Sequence, residues 1–564
     1  MEVTRRDFLK LIGIAGAVGG MSPQALAAAL TPDRLLAFQS LGNVTLLHIT
    51  DTHATLLPVY YREPDTLIEV GEWKNKPPYV TGSAFLKAYG FGRKSLEAYA
   101  YTHLDFSELA SRYGKMGGYS HLATLVKQIR TERAGKTLLL DGGDTLQGSA
   151  TSLLSRGLDM LEATNQLGVE VFTPHWEFTY GIERVRELFG DRETRGLFKG
   201  NFVAHNVADI SWGPPGEPVF HPYTLRETGG IKIGIIGQAF PYTPISHPQR
   251  FVPNLTFGIQ EERLKKLVNE LRDQKKVDLV ILLSHNGLYV DLKLARRVQG
   301  IDVILGGHTH DAMPQPVIVD KTLVINSGAH GKFLSRLDLD VQSGNVRAYR
   351  YKLIPVLSRF IPEDSEMAAL IRKIRAPHES KLAEKLAISE SLLYRRGNFN
   401  GSFDEIILDA LMKHYDAQVA FSPGFRWGIT ILPGQEITLE DVYNHTSLTY
   451  PNTWVREMTG QEIKMVMEDV SDNLFNLDPY YRQGGDMVRV GGLTYTIAPN
   501  KRQGERITEI GMGGKPLEPN KKYKAAGWAS TGEVDGPPAF DLVADYLRRV
   551  KRVKVDNRSR VRVV

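Results

Sequence analysis

The stretch Thr137-Leu-Leu-Leu-Asp-Gly-Gly-Asp-Thr-Leu-Gln-Gly148 decides the fold of this chain. Its apolar run is too short for a typical helix and reads as a buried strand, which ends abruptly in a loop of carboxylates and glycines. The same grammar recurs three times: Val44-Thr-Leu-Leu-His-Ile-Thr50 runs into Asp51-Thr-His53, Asp278-Leu-Val-Ile-Leu-Leu-Ser284 into His285-Asn-Gly287, and Ile301-Asp-Val-Ile-Leu305 into Gly306-Gly-His308-Thr-His310. Each strand delivers its polar residues at its C-terminal edge, where open α/β sheets place their ligands. Strand and helix signals alternate from about Asn43 to Leu353, and Ile231-Lys-Ile-Gly-Ile-Ile-Gly237 and Thr322-Leu-Val-Ile-Asn-Ser327 read as members of the same sheet system. The sequence therefore predicts layered α/β architecture.

The residue types at those edges point to metal chemistry. Two cations roughly 3.5–4 Å apart need a bridging carboxylate and a mixed shell of imidazole and oxygen ligands; such a pair clamps an oxyanion and turns a bridging water into hydroxide near neutral pH. Gly142, Gly143, Gly306 and Gly307 let the backbone approach such ions closely. A single histidine here would more readily be an ordinary hydrogen-bonded side chain, so the argument rests on the blocks together.

A fifth block, Val171-Phe-Thr-Pro-His-Trp-Glu-Phe-Thr-Tyr-Gly181, completes a pattern that resembles, in order, the signature of the metallophosphoesterases of the 5′-nucleotidase family. Together with a long insertion after Asp51-Thr-His53, a twin-arginine leader and the His-Trp-Glu-Phe-Thr-Tyr-Gly block, it resembles the SoxB thiosulfohydrolase branch over essentially the whole chain. The resemblance implies an α/β fold with a four-layered metallophosphoesterase-type β-sandwich core and flanking helices, followed by a smaller mixed α/β C-terminal domain. By position in the family motif, Asp144 is the bridging ligand, Asp51, His53 and His310 complete one metal site, and His175, His285 and His308 complete the other. It further implies two Mn(2+) ions and a thiosulfonate substrate held on a cysteine of the carrier heterodimer SoxYZ, from which sulfate is released.

The fifth block is also where the chain departs from the nucleotidases. They carry G-N-H-E-F-D, whose Asn binds a metal and whose His and Asp act on the phosphate; this chain has His175, Trp176 and Thr179 at those places. A nucleotidase expels an alkoxide whose conjugate acid is about as weak as water (pKa roughly 15.7), so a nearby acid helps greatly. A thiosulfonate expels a sulfur anion, and ordinary thiols ionise near ~8.5, so a proton donor becomes dispensable. The alternative is that Trp176 only packs beside the metals.

Composition sets the outer bounds. With 564 residues, 42% hydrophobic and 24% charged, the chain has an ordinary soluble balance and is long for one core, so two domains are expected. Net charge is +5, of which Arg5, Arg6 and Lys10 against Glu2 and Asp7 contribute +1, leaving +4 beyond the leader. That is too mild to argue for nucleic acid. There is no cysteine, hence no disulfide and no thiol to trap a sulfur substrate. Thr4-Arg-Arg-Asp-Phe-Leu-Lys10, a weakly apolar run and Ala25-Leu-Ala27 read as a twin-arginine signal peptide over 1–27, which implies periplasmic export of an already folded, metal-loaded monomer without stable membrane insertion.

The expected organisation is a catalytic domain over 35–360 with an insertion at 56–117, a linker helix over 361–384 and a substrate-binding domain over 385–564. The linker reading rests on Pro362-Glu-Asp-Ser-Glu-Met-Ala-Ala-Leu-Ile-Arg-Lys-Ile374, with its acidic first turn and apolar spacing of three to four. The insertion holds Tyr60, Tyr61, Tyr79, Tyr89, Tyr99, Tyr101 and Tyr113, side chains favoured where a surface meets a partner, and reads either as a wall of the site entrance or as a packed subdomain. In the second domain, Phe421-Ser-Pro-Gly-Phe-Arg-Trp-Gly428 loosely resembles the family's N-G-G-x-R-x block, so Arg426 joins Asp144 and His175 as a residue expected to act on substrate; a structural ion pair is the other reading. Gly484-Gly-Asp-Met-Val-Arg-Val-Gly-Gly492 lacks a following Lys-Ser/Thr and reads as a glycine-turned hairpin rather than a phosphate loop, and the basic tail from Arg548 reads as a solvated edge strand.

Three functions remain open from sequence: a thiosulfohydrolase, a periplasmic 5′-nucleotidase or other phosphoesterase, and a non-catalytic metal-containing carrier-binding protein. The missing His/Asp pair, and aromatics on only one side at Phe425-Arg426-Trp427, argue against the second; the open metal ligation argues against the third.

Overall fold

The computed structural model describes residues 37–211, 213, 216–556 and 560–564, so the leader expected over 1–27 lies outside the described residues. Two six-stranded sheets form the first domain. In chain order their strands are β1 (Val44–Ile49), β2 (Thr137–Asp141), β3 (Val171–Phe172), β4 (Asn201–Phe202), β5 (Tyr223–Thr228) and β6 (Ile231–Gln238). There follow β7 (Leu279–Ser284), β8 (Val303–Gly306), β9 (Val317–Val319), β10 (Thr322–Asn326), β11 (Phe333–Gln342) and β12 (Asn345–Pro355). One sheet runs β12-β11-β1-β2-β3-β4 and the other β9-β10-β8-β7-β6-β5, each with a parallel centre and an antiparallel border.

The near-continuous apolar runs are explained by strands buried on both faces, with successive side chains pointing opposite ways. On β1, Val44 and Leu46 face the core between the sheets while Leu47 and Ile49 face outward; on β7, Leu279, Ile281 and Leu283 face inward while Val280 and Leu282 face outward. Helices cover both outer faces. On the first sheet α1 (Tyr119–Glu132) and α2 (Leu158–Leu167) supply Leu122, Val126 and Leu161; on the second α3 (Glu261–Asn269) and α4 (Leu288–Arg297) supply Leu264, Val268 and Leu292. The expected four-layered fold is found.

The segment expected between the domains forms helix α5 (Ser365–Arg375). Asp364 caps it by accepting from the Met367 amide, and Arg372, Lys373 and Arg375 complement the dipole at its other end. Its Met367 and Ile371, one turn apart, join the outer core and pack it against α1 and α2. Leu382 then enters the core of the second domain, a mixed α/β body with sheets of three, four and four strands.

Buried ion pairs brace the loops of that domain: Arg395 reaches Asp404 at 2.8 Å, Arg489 reaches Asp404 at 3.3 Å and Asp486 at 3.0 Å, and all four side chains are buried. Removing one member of such a network strands its partner's charge and costs roughly 3–5 kcal/mol. Three expectations need correction here. Residues 484–492 are not a hairpin, because Arg489–Gly491 pairs with Val419–Ser422 instead of folding back on itself. The basic tail starts in a helix, Ala539–Val550, and only then supplies two short edge strands, Arg552–Val553 and Val561–Val563. The tyrosines of the insertion are core: Tyr61, Tyr79, Tyr99, Tyr101 and Tyr113 are buried, and Tyr99 stacks on Tyr113 with ring centroids 5.5 Å apart. Tyr99, Tyr101 and Tyr113 turn their hydroxyl-tipped rings inward from the short helices Leu96–Tyr101 and Phe106–Tyr113, and Tyr101 Oη donates to the Leu353 carbonyl at 3.0 Å. Among the described residues, no helix is long and apolar enough to cross a membrane.

Candidate metal centre

The edge loops of both sheets meet at one place. Asp51 and His53 follow β1, Asp144 follows β2, His175 follows β3, His285 follows β7, and His308 and His310 follow β8. They fall into two buried groups, Asp144–His175–His285–His308 and Asp51–His53–Asp144–His310, within each of which one ligand atom per residue lies within 4.8 Å of the others. Asp144 is the shared member. Asp51, His53, Asp144, His308 and His310 all adopt positive φ, of 52°, 45°, 57°, 73° and 60°. Side chains there carry about 1–3 kcal/mol of strain each, which persists only where the surroundings over-determine it.

Carbonyl oxygens, which can only accept, fix three of the rings. His53 Nδ1 lies 3.2 Å from the Gln147 carbonyl, His285 Nδ1 2.5 Å from that of Gly142, and His308 Nε2 3.1 Å from that of Gln483. Each of those nitrogens carries the hydrogen, so the other is left as the ligand. The free atoms converge: His53 Nε2 is 3.1 Å from His310 Nε2, His310 Nε2 is 3.2 Å from Asp51 Oδ1, His285 Nε2 is 3.1 Å from Asp144 Oδ2, and His175 Nδ1 is 3.1 Å from Asp144 Oδ1. Imidazole lone pairs turned toward one another and toward carboxylates call for cations between them. The donor set of imidazoles and carboxylates fits two divalent ions.

Burial lowers the pKa of His175 to about 4 and those of His53, His308 and His310 below the usual range, so these rings are neutral and competent as ligands at neutral pH. Burial pulls His285 down too, but the carboxylates of Asp144 and Asp51 prevail and raise it to about 10. Burial also raises Asp51 to about 8, against the pull of His285. Asp144 goes the other way: the flanking His175 and His285 outweigh burial and hold it well below the usual carboxylate range. A cation takes His285 as the neutral imidazole, so metal binding there competes with a proton.

Sequence reasoning passed over Glu177. Its buried carboxylate accepts from the amides of His175 at 2.8 Å, Thr145 at 2.8 Å and Leu146 at 3.2 Å, tying the Asp144 loop to the His175 loop. An acid between Trp176 and Phe178 was the available signal. Trp176 meanwhile donates its amide to Asp144 Oδ1 at 2.7 Å and packs its indole on His247, with centroids 4.6 Å apart, and on Trp427 at 5.2 Å. Thr179 shares a 2.7 Å hydroxyl contact with Thr449, which donates in turn to the Thr179 carbonyl at 2.8 Å, so this position joins the two domains.

A cavity of about 850 Å³ opens from the metal ligands between the domains, walled by Trp176, Phe425, Trp427, Trp454 and Trp528. Arg426 lines it while donating to the Gly485 carbonyl at 2.6 Å, and its Nε lies 3.6 Å from Asp486. No residue of the 56–117 insertion lines it. The insertion is therefore not the wall of the entrance, a place taken by residues 415–536 of the second domain together with Phe240, Ile245 and Ser246.

Residues 44–312 match the family described as calcineurin-like phosphoesterase, and residues 389–540 match the 5′-nucleotidase, C-terminal domain. Fold and site thus define a metal-dependent hydrolase of the metallophosphoesterase class. Within that class the chain belongs to the SoxB-like 5′-nucleotidase family. Its structure resembles that of the sulfate thiohydrolase SoxB of Thermus thermophilus, solved with glycerol, with a TM-score of 0.89 and 39% identity over 93% of this chain and 98% of that one. A 5′-nucleotidase precursor, also of Thermus thermophilus, shares the fold, with a TM-score of 0.72 and 23% identity over 92% of this chain and 99% of that one. In sequence, the 5′-nucleotidase of Bos taurus is 24% identical over 79% of this chain and 82% of its own length. The trifunctional nucleotide phosphoesterase YfkN of Bacillus subtilis (strain 168) is 26% identical over 69% of this chain, which spans 28% of that protein's length.

Proposed function

We propose that this protein is a dinuclear thiosulfohydrolase that releases sulfate from a cysteine-bound thiosulfonate on a sulfur-carrier protein of the SoxYZ kind, working with two Mn(2+) ions in the periplasm after twin-arginine export. The observation that carries the reading is Trp176: an indole, packed between His247 and Trp427, stands where the nucleotidases of the family place their acid. The similarity to the Thermus thermophilus sulfate thiohydrolase supports it.

When bound, the two ions supply a clamp for the anionic sulfonate and lower the pKa of water at the site. Asp51, His53, Asp144 and His310 would hold one, and Asp144, His175, His285 and His308 the other. Water adds to the sulfonate sulfur, the sulfur–sulfur bond breaks, and its electron pair stays on the carrier as a persulfide anion while sulfate leaves and the two protons of the water pass to solvent. That anion is a good leaving group unaided. The aromatic residues wall the cavity that leads to the metal ligands, and Arg426 faces the same cavity with a guanidinium suited to a sulfonate. His175 Nδ1 and the Trp176 amide both meet Asp144 Oδ1, which keeps the bridging carboxylate fixed while charge moves.

A nucleotidase reading meets a geometric obstacle. Phe425 and Trp427 stack on each other with centroids 4.0 Å apart and planes 19° from parallel. A purine sandwiched between two rings needs about 7 Å, twice the ~3.5 Å contact distance. The test is to incubate metal-loaded protein with thiosulfonated carrier and, separately, with AMP, and to measure sulfate and phosphate. Sulfate release should dominate; faster phosphate release from AMP would overturn the proposal.

A further inference from the structure

Three ligand histidines have their second ring nitrogen held by a backbone carbonyl, and one of the three carbonyls comes from the other domain. Gln147 and Gly142, which hold His53 and His285, belong to the first domain; Gln483, which holds His308 Nε2 at 3.1 Å, belongs to the second. The next residue is as informative. Gly484 has φ +77°, and a Cβ there would collide with His308 Nε2 and with Tyr289 Oη. The segment thus lies directly on the ligand ring.

Two arginines of the second domain grip the ligand loop by its main chain. Arg426 donates to the His308 carbonyl at 3.4 Å and to that of Gly485 at 2.6 Å, and Arg396 donates to the Thr309 carbonyl at 2.9 Å. Both guanidinium groups lie 3.6 Å from Asp486 Oδ1, and Arg489, 3.0 Å from the same carboxylate, ties it into the ion-pair network of the second domain. All four charged side chains are buried, so the arrangement is strongly specified.

We propose that the second domain is a working part of one metal site: segment 483–486, with Arg396 and Arg426, fixes the tautomer and orientation of His308. Occupancy of the His175–His285–His308 centre then depends on the docked second domain, whereas in the Asp51–His53–His310 centre the carbonyl that orients His53, that of Gln147, belongs to the first. Gln483 and Gly484 are positioning residues here, acting through His308. The inference rests on the dinuclear reading of the site and goes beyond it by making the two centres unequal. Loss of a partner that orients a metal ligand weakens metal binding by about 10–100-fold.

Two adjacent glycines supply a matched experiment. Gly484 and Gly485 have the same φ, +77°, so alanine strains the backbone alike at both, but a Cβ on Gly485 meets only the Gly424 carbonyl, at 3.5 Å. Full-length wild type, Gly484→Ala and Gly485→Ala would be loaded with Mn(2+), dialysed against graded free Mn(2+) and assayed for metal per chain. Wild type and Gly485→Ala should hold two ions, and Gly484→Ala should hold one tightly and the second about 10–100-fold more weakly. Equal metal binding by the two variants would overturn the proposal, whereas a wild type holding fewer than two ions would refute the dinuclear reading itself. Should Gly484→Ala fail to fold, zinc-loaded wild type with 15N-labelled histidine decides by magnetic resonance. Metal on His308 Nδ1 with a protonated Nε2 supports the inference, and metal on Nε2 overturns it.

Discussion

The Trp176 amide donates to Asp144 Oδ1 at 2.7 Å, so the residue whose side chain departs from the nucleotidase pattern is tied by its main chain to the shared carboxylate of both metal groups. Backbone and side chain have separate duties at this position. The first holds the site together, and the second sets what the site lacks.

That separation makes the block testable. In Trp176→His the amide bond to Asp144 survives, so metal content should stay at the wild-type level. Paired with Thr179→Asp, it should raise turnover of an alkyl phosphomonoester such as glycerol 3-phosphate, whose leaving alkoxide needs a proton, with a gain of about 100-fold as the lower mark for a positioned acid. Sulfate release should not rise. No gain at all on the phosphomonoester would remove Trp176 as the determinant of reaction class.

Asp144 belongs to both ligand groups, and its carboxylate lies 3.1 Å from both His175 and His285. Asp144→Ala should lose both ions, not one, when purified protein is analysed for metal. Two equivalents retained would exclude a bridging role.

His205 offers a pH signature away from the metals. Burial lowers its pKa from 6.5 to about 3, although its ring donates to the Gln238 side chain. Between those two pH values the unfolded chain binds a proton that the folded chain refuses. Its contribution is therefore full above pH 6.5 and is lost as pH falls toward 3, by up to about 1.4 kcal/mol per pH unit. Denaturant unfolding of His205→Gln between about pH 6.5 and 4 should show a shallower acid slope than wild type; parallel slopes would refute the assignment.

Tyr99 tests the corrected role of the insertion. It is 1% exposed, stacks on Tyr113 and donates to the Gly114 carbonyl. Tyr99→Ala should destabilise the fold by about 3–5 kcal/mol, as large aromatic truncations in cores do. Bound metal should be unchanged, because no part of the insertion lines the cavity. A wild-type unfolding midpoint together with weakened carrier binding would restore the insertion as a docking surface.

Apolar runs in the sequence specified the layered α/β fold, and the family motif at their ends nominated all seven residues that gather in the two buried groups. Strand ends are local signals. Strands such as Leu279–Ser284 announce themselves by an unbroken apolar run, and the residues that follow them are placed by the strand's own end. Only the tertiary structure decided the rest. The tyrosines of 56–117 have the same composition whether they face a partner or a core, and the packing of Tyr99 on Tyr113 chose the core. The carbonyl of Gln483 at His308 has no sequence signature, because every residue carries a carbonyl, and which one meets a metal ligand is fixed only when two distant segments are brought together.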